Sequence, residues 1–178
     1  MRHYLMLLTL FFLVQTAFAQ EQVDSTLTAE EIQFGDSIAA INTYNERMQL
    51  IQETYNAASS AFAESNFSKS ISLFDEVIAL DSSNADAFYN KGLAQKESKQ
   101  YTESVETLEQ AFSLDATNFD ALFQQAKCYD ENKESDKAIV AYDRLLSADP
   151  TWEEAAYNKG VIFYLDKDYQ QAIAAYSQ

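Results

Sequence analysis

Residues 85–94, Ala-Asp-Ala-Phe-Tyr-Asn-Lys-Gly-Leu-Ala, return 68 residues later as Glu-Glu-Ala-Ala-Tyr-Asn-Lys-Gly-Val-Ile over 153–162. Tyr89-Asn90-Lys91-Gly92 thus reappears as Tyr157-Asn158-Lys159-Gly160. The interval is twice 34, and the intermediate and preceding stations read Phe123-Gln124-Gln125-Ala126 and Tyr55-Asn56-Ala57-Ala58. A period of this length marks a stack of repeated units, each too small to bury its apolar face alone. In register the copies are 51–84, 85–118, 119–152 and an incomplete 153–178.

Two places in the repeat stay small. Position 8 is Ala58, Gly92, Ala126 and Gly160; position 20 is Ser70, Ser104, Ala138 and Ala172. Position 24 is large, as Phe74, Leu108, Tyr142 and Tyr176, and position 17 is Phe67, Tyr101, Ser135 and Tyr169. Small residues at two fixed points, each followed at helical spacing by a bulky one, let two antiparallel helices approach closely while large side chains fill the space beside them. The pattern resembles the tetratricopeptide repeat. That family has an aromatic at 4, Leu-Gly at 7 and 8, Tyr at 11, Ala at 20, an aromatic at 24, Ala at 27 and Pro at 32. Positions 4, 7 and 11 are degenerate, reading Phe88, Lys91 and Gln95 in the second copy, and Pro150 alone keeps the proline. The resemblance covers residues 51–178 and implies an all-α, right-handed α-solenoid of antiparallel helix pairs.

Composition agrees. Three Gly and one Pro in 178 residues, 47% of them hydrophobic, are too few breakers for a protein of many tight β turns. Helices are expected near 51–64, 68–81, 85–98, 102–115, 119–132, 136–148, 153–166 and 169–178. Asp81-Ser82-Ser83-Asn84, Asp115-Ala116-Thr117-Asn118 and Asp149-Pro150-Thr151-Trp152 fall at the same four stations between copies, where such residues turn the chain and cap the next helix. Gln95 is expected at the surface from its polarity.

Residues 1–19 combine Arg2, an apolar run from Tyr4 to Val14 and Ala17-Phe18-Ala19 before Gln20, the layout of a cleaved secretory signal. The run is shorter than the ~20 residues a membrane-spanning helix needs. Residues 20–50 follow as a polar leader and an N-terminal capping helix. Thr28 and Glu31 form a capping box ahead of Phe34, Ile38, Ile41, Met48, Ile51 and Tyr55. This helix either runs unbroken into the first repeat or turns at Asn42-Thr43, the poorest helix-forming spot. Loss of Arg2 leaves 11 basic against 28 acidic residues, net −17. Such a surface repels phosphate backbones and acidic head groups, so neither nucleic acid nor direct membrane insertion after signal cleavage is expected. An exported product, periplasmic or extracellular, is.

The resemblance implies that the first helix of each repeat lines a concave groove with positions 2, 5, 6, 9, 12 and 13. Position 5 is then an aromatic row of Tyr55, Tyr89, Phe123 and Tyr157, and position 6 an amide row of Asn56, Asn90, Gln124 and Asn158, with Lys127 at position 9. Carboxamides bond both N–H and C=O of an extended backbone, and flat rings cover its side chains. The same residues serve equally well as packing. Family members that clamp a C-terminal carboxylate carry cations at positions 2, 5, 6 and 9, where this chain has Asp86, Asp120 and Glu154, rings and amides, so a neutral or basic protein segment is the expected ligand.

The remaining motifs are bland. Asp130 to Asp136 lacks the glycine and the bidentate glutamate of a calcium loop. Cys128 at position 10 reads as a core residue, and a single Cys with a single His, in the export signal, supports no disulfide or zinc site. Asn66-Phe67-Ser68 matches a glycosylation sequon. No nucleophile and base pair or phosphate-cradling loop is present, so no enzymatic activity and no cofactor or metal is expected. The reading is an exported adaptor that binds protein through its groove. Its rivals are the recognition part of a longer envelope enzyme or transport component continuing past Gln178, and a structural spacer stacking end to end through the unsealed last repeat.

Overall fold

The computed structural model describes residues 29–177, with side chains from residue 33. Residues 1–19, expected to be an export signal, Thr28 and the Glu31 side chain lie outside the described residues. The described part is eight helices with no strand: α1 (Ala29–Ala63), α2 (Phe67–Leu80), α3 (Ala85–Glu97), α4 (Tyr101–Leu114), α5 (Phe119–Glu131), α6 (Ser135–Ala148), α7 (Glu153–Leu165) and α8 (Tyr169–Tyr176). Every boundary from residue 64 on falls within two residues of the sequence expectation. The question left open at Asn42-Thr43 has an answer, since α1 continues through it and the Thr43 hydroxyl donates back to the Ala39 carbonyl at 3.0 Å.

Two compact units are distinguished, one ending at Met48 and one beginning at Gln49. In the first, Phe34, Ile38, Ile41, Tyr44 and Met48 are exposed along α1. The second holds the repeats. Its helix pairs are the end of α1 with α2, α3 with α4, α5 with α6, and α7 with α8, giving a solenoid of antiparallel pairs.

Packing follows the small and large stations. Ala58, Ala126, Ser70, Ser104, Ala138, Phe74, Leu108 and Tyr142 are all buried. A Cβ on Gly92 would meet Leu108 Cγ at 2.7 Å, and one on Gly160 would meet Tyr176 Cδ1 at 2.6 Å, so position 8 faces position 24 of its own repeat. The Ser104 hydroxyl donates to the Gly92 carbonyl at 2.7 Å and lies 3.2 Å from Cys128 Sγ, joining position 20 to its own first helix and to the next repeat. Cys128 is a core residue as expected, and burial pushes its thiol up. Ser70, in the same station one repeat earlier, is equally buried and its hydroxyl has no partner among the described residues. Gln95 corrects its expectation: it is 6% exposed, with Oε1 unpartnered, because position 11 faces inward whatever residue fills it.

Turns repeat as faithfully. Ser65, Lys99, Lys133 and Lys167 all take positive φ, between 59° and 64°, at position 15. There Lys99 N–H bonds Lys96 O at 2.8 Å and Gln100 N–H bonds Gln95 O at 2.8 Å, the paired bonds of a Schellman end built without glycine. Between repeats, Asp81, Asp115 and Asp149 each accept from the backbone N–H and hydroxyl two residues on, Ser83, Thr117 and Thr151, at 2.6 to 3.0 Å. Asn84 and Asn118 then cap α3 and α5 by accepting from Ala87 and Ala121 N–H at 2.9 and 3.0 Å.

A third device links consecutive repeats. The acid at position 25 reaches position 7 of the next copy: Asp75 to Lys91 Nζ at 2.7 Å, Glu109 to Gln125 Nε2 at 3.0 Å and Asp143 to Lys159 Nζ at 2.6 Å. This accounts for the departure from the family pattern at position 7. At the middle junction, where Gln125 is neutral, Arg144 supplies the cation through a two-pronged bond to Glu109 at 2.6 and 3.0 Å.

Candidate functional site

The first helices of the four repeats set positions 5 and 6 on one face, because residues 34 apart occupy equivalent places in stacked units. The ring row is graded. Tyr55 and Tyr89 are half-buried, Phe123 is 4% exposed and belongs to the core, and Tyr157 is 60% exposed. Three of the rings lean on the aromatic at position 24 of their own repeat: Tyr55 on Phe74 with centroids 5.5 Å apart, Phe123 on Tyr142 at 6.2 Å and Tyr157 on Tyr176 at 5.8 Å. Phe123 also meets Trp152 at 5.7 Å, and Lys127 Nζ stands over its outer side at 5.6 Å. Position 5 therefore packs and lines a surface at once.

The amide row is already partly engaged. Asn90 Nδ2 donates to the Tyr55 hydroxyl and to the Asp86 carbonyl, both at 2.8 Å, tying position 6 of one repeat to position 5 of the one before. Gln124 Oε1 accepts from Lys96 Nζ at 2.7 Å. Asn56, exposed, accepts from Gln52 Nε2 at 3.0 Å, and half-buried Asn158 lies beside the Tyr142 phenol. Asn90, with both bonds donated by its Nδ2, is the most engaged of the four, and Asn56, Gln124 and Asn158 each keep part of their bonding capacity.

Electrostatics on this face are a ladder. The phenols of Tyr55 and Tyr89 are pushed up first by burial and then by the carboxylates of Asp86 and Asp120, which stand at position 2 of the following repeat. Those carboxylates and Glu154 are exposed. Position 12 adds a residue the sequence reading did not single out: Lys96 is buried, with its ammonium held by Gln124 and, at 3.5 Å, by Glu97. Its signal was available, since position 12 lies on the same helical face as 5 and 9. Among the described residues no group of three or more His, Cys, Asp or Glu could hold a metal ion, and no helix is long and apolar enough to cross a membrane.

Family models described as tetratricopeptide repeat match residues 95–159 and, for a second model, 55–111 and 141–178. Among solved structures, the crystal structure of MamA is 20% identical with a TM-score of 0.67, covering 85% of this chain and 92% of that one. A tetratricopeptide repeat protein from Parabacteroides merdae is 21% identical with a TM-score of 0.65, over 71% of this chain and 51% of that one. The second such domain of human RPAP3, solved in complex with the HSP70 peptide SGPTIEEVD, is 19% identical with a TM-score of 0.60, over 65% of this chain and 97% of that one. No curated protein matches the chain.

Proposed function

The chain belongs to the tetratricopeptide repeat family, and from that premise we propose that it is an exported, non-enzymatic adaptor that holds an extended protein segment on the face of its first helices. The observation that carries this reading is an exposed ring of the aromatic row beside an amide. Tyr157 leaves 60% of its surface to solvent beside half-buried Asn158 on the same helix. A flat ring beside an amide suits a peptide backbone and its side chains. The exposed Asp86, Asp120 and Glu154 favour a neutral or basic segment, unlike the acidic peptide carried by the human RPAP3 domain. Export to a periplasmic or extracellular space rests on Ala17-Phe18-Ala19 after a short apolar run.

The test compares wild type with an Asn56→Ala/Tyr157→Ala variant as bait for proteins of the native envelope, with partners quantified by mass spectrometry. A partner lost from the variant, and released as salt rises through screening over ~8–10 Å, is the expected result. Equal recovery by both baits overturns the assignment to this face. In the same samples, an N-terminus at Gln20 is expected, and intact Met1 in the membrane fraction overturns export.

A further inference from the structure

On the opposite side of the repeats, the second helices α4 and α6 flank a groove of about 750 Å³ whose floor is Gln125 and Tyr129 of α5. Val105, Val140 and Ala141 make its walls apolar, and Val140 is 68% exposed. A smaller recess of about 190 Å³ sharing Val105, Glu106, Tyr129 and Lys137 prolongs it towards Tyr101. The Glu109 and Arg144 bridge spans from α4 to α6, and Arg144 also covers Phe112 with its guanidinium 5.0 Å from the ring centroid.

We propose that this groove docks an amphipathic helix of a partner protein that carries a Lys or Arg beside its apolar ridge. Three observations select that occupant. From Asp136 to Arg144 the wall is about 12 Å long, two helical turns, and its lining residues recur at helical spacing, so a helix laid between α4 and α6 meshes ridge with groove. An extended segment would lay bare backbone amides along the apolar Val105, Val140 and Ala141, and Gln125 Nε2 beside them is already shared between Val105 O at 3.3 Å and Glu109 Oε2 at 3.0 Å. A helix satisfies its own backbone. The charge is the third. Both cations of the lining are committed, Arg144 to Glu109 and Lys137 to Glu134 and the Tyr129 ring. Glu106 and Asp136 are exposed and unpaired among the described residues, and both precede the bridge along their helices. The free charge of the groove is negative, so its complement is a cation.

The chain carries its own reporters. Val105 and Val140 line this groove, and Val161 lies at position 9 of the last repeat, a place on the face of the first helices. The probe is an amphipathic peptide of about 14 residues made of Leu and Lys, with Leu along one helical face, and its Leu and Glu counterpart. In protein labelled on valine methyls, the Lys peptide should shift Val105 and Val140 saturably and leave Val161 still, while the Glu peptide shifts neither. Glu106→Gln/Asp136→Asn should weaken binding roughly threefold to tenfold, and Val140→Lys should abolish it with melting unchanged. Shifts confined to Val161, no saturable shift up to about 1 mM peptide, or full binding by Val140→Lys overturns the proposal. The site on the first helices is read by the envelope pull-down with Asn56→Ala/Tyr157→Ala, which leaves this groove intact, so the two readings fail separately.

Discussion

Gly92 and Leu108 touch so closely that the smallest possible side chain at position 92 would collide, with its Cβ 2.7 Å from Leu108 Cγ and 2.8 Å from Cδ2. Ala is about 1 kcal/mol better than Gly in a helix interior, whereas overpacking costs about 1–3 kcal/mol. Gly92→Ala is therefore expected to be neutral or destabilising by up to about 2 kcal/mol. In a Leu108→Ala background the collision is gone, and the same change should stabilise by about 1 kcal/mol. Denaturant melts of the four proteins check this; additive effects would mean the two side chains do not compete for one space.

Ser70 and Ser104 share a station and differ in partners. Ser104→Ala loses the bond to the Gly92 carbonyl and should cost about 0.5–1.5 kcal/mol. Ser70→Ala removes a buried hydroxyl with no partner among the described residues and should stabilise by about 1 kcal/mol, matching the alanines that fill this station in the last two repeats. Thermal melting of the two single variants should move in opposite directions.

Lys133 holds φ at 64°, a conformation that costs an L-residue roughly 1–2 kcal/mol and a glycine nothing. After the extra chain entropy of glycine, Lys133→Gly should stabilise by about 0.5–1 kcal/mol. Lys133→Ala is the control, expected near zero because it keeps the strain and removes only an exposed charge. Equal shifts for both would assign the effect to charge.

The turn carboxylates set an acid limit. Side-chain bonds from Thr117 and Thr151, then their backbone N–H groups, hold Asp115 and Asp149 below the ordinary 3.8. A depressed carboxyl contributes stability above its unfolded pKa and loses it as pH falls through the folded one. The contribution is thus complete near neutrality and disappears below about pH 4. Relief of repulsion among the excess carboxylates acts in the opposite sense over the same range. Comparing wild type with Thr117→Ala/Thr151→Ala removes that common background. The gap in their melting temperatures should be widest near pH 6 and close towards pH 2, and carboxyl titration by NMR should move both aspartates up towards the ordinary value in the variant, which keeps the backbone bonds.

The helices could be read because their signals are periodic: small at 8 and 20, large at 24, and Asp-x-Ser/Thr between copies. Function was less legible because the face that could bind also holds the stack together. Asn90 looks free in sequence and is spent on Tyr55; Phe123 looks like groove and lies in the core beneath Trp152. Lys91 and Lys159 looked like departures from the pattern, and became intelligible only when Asp75 and Asp143 of the preceding repeats were seen beside them. The groove between α4 and α6 has no motif at all. It arises where Val105, Gln125 and Val140 happen to be neutral or small together, a coincidence of three helices that no single stretch of sequence displays.

The bonds from position 25 to position 7 make the junctions chemically interchangeable. Excising residues 119–152 joins Asn118 to Glu153 and brings Glu109 opposite Lys159, recreating at a new seam the acid-to-ammonium clasp that Asp75 makes with Lys91. Copy number is then separable from foldability: a splice of one whole period preserves the electrostatic match, whereas a cut of any other length sets the acid against the wrong turn of helix. Selection can in this way lengthen or shorten the stack by duplication without inventing a new contact.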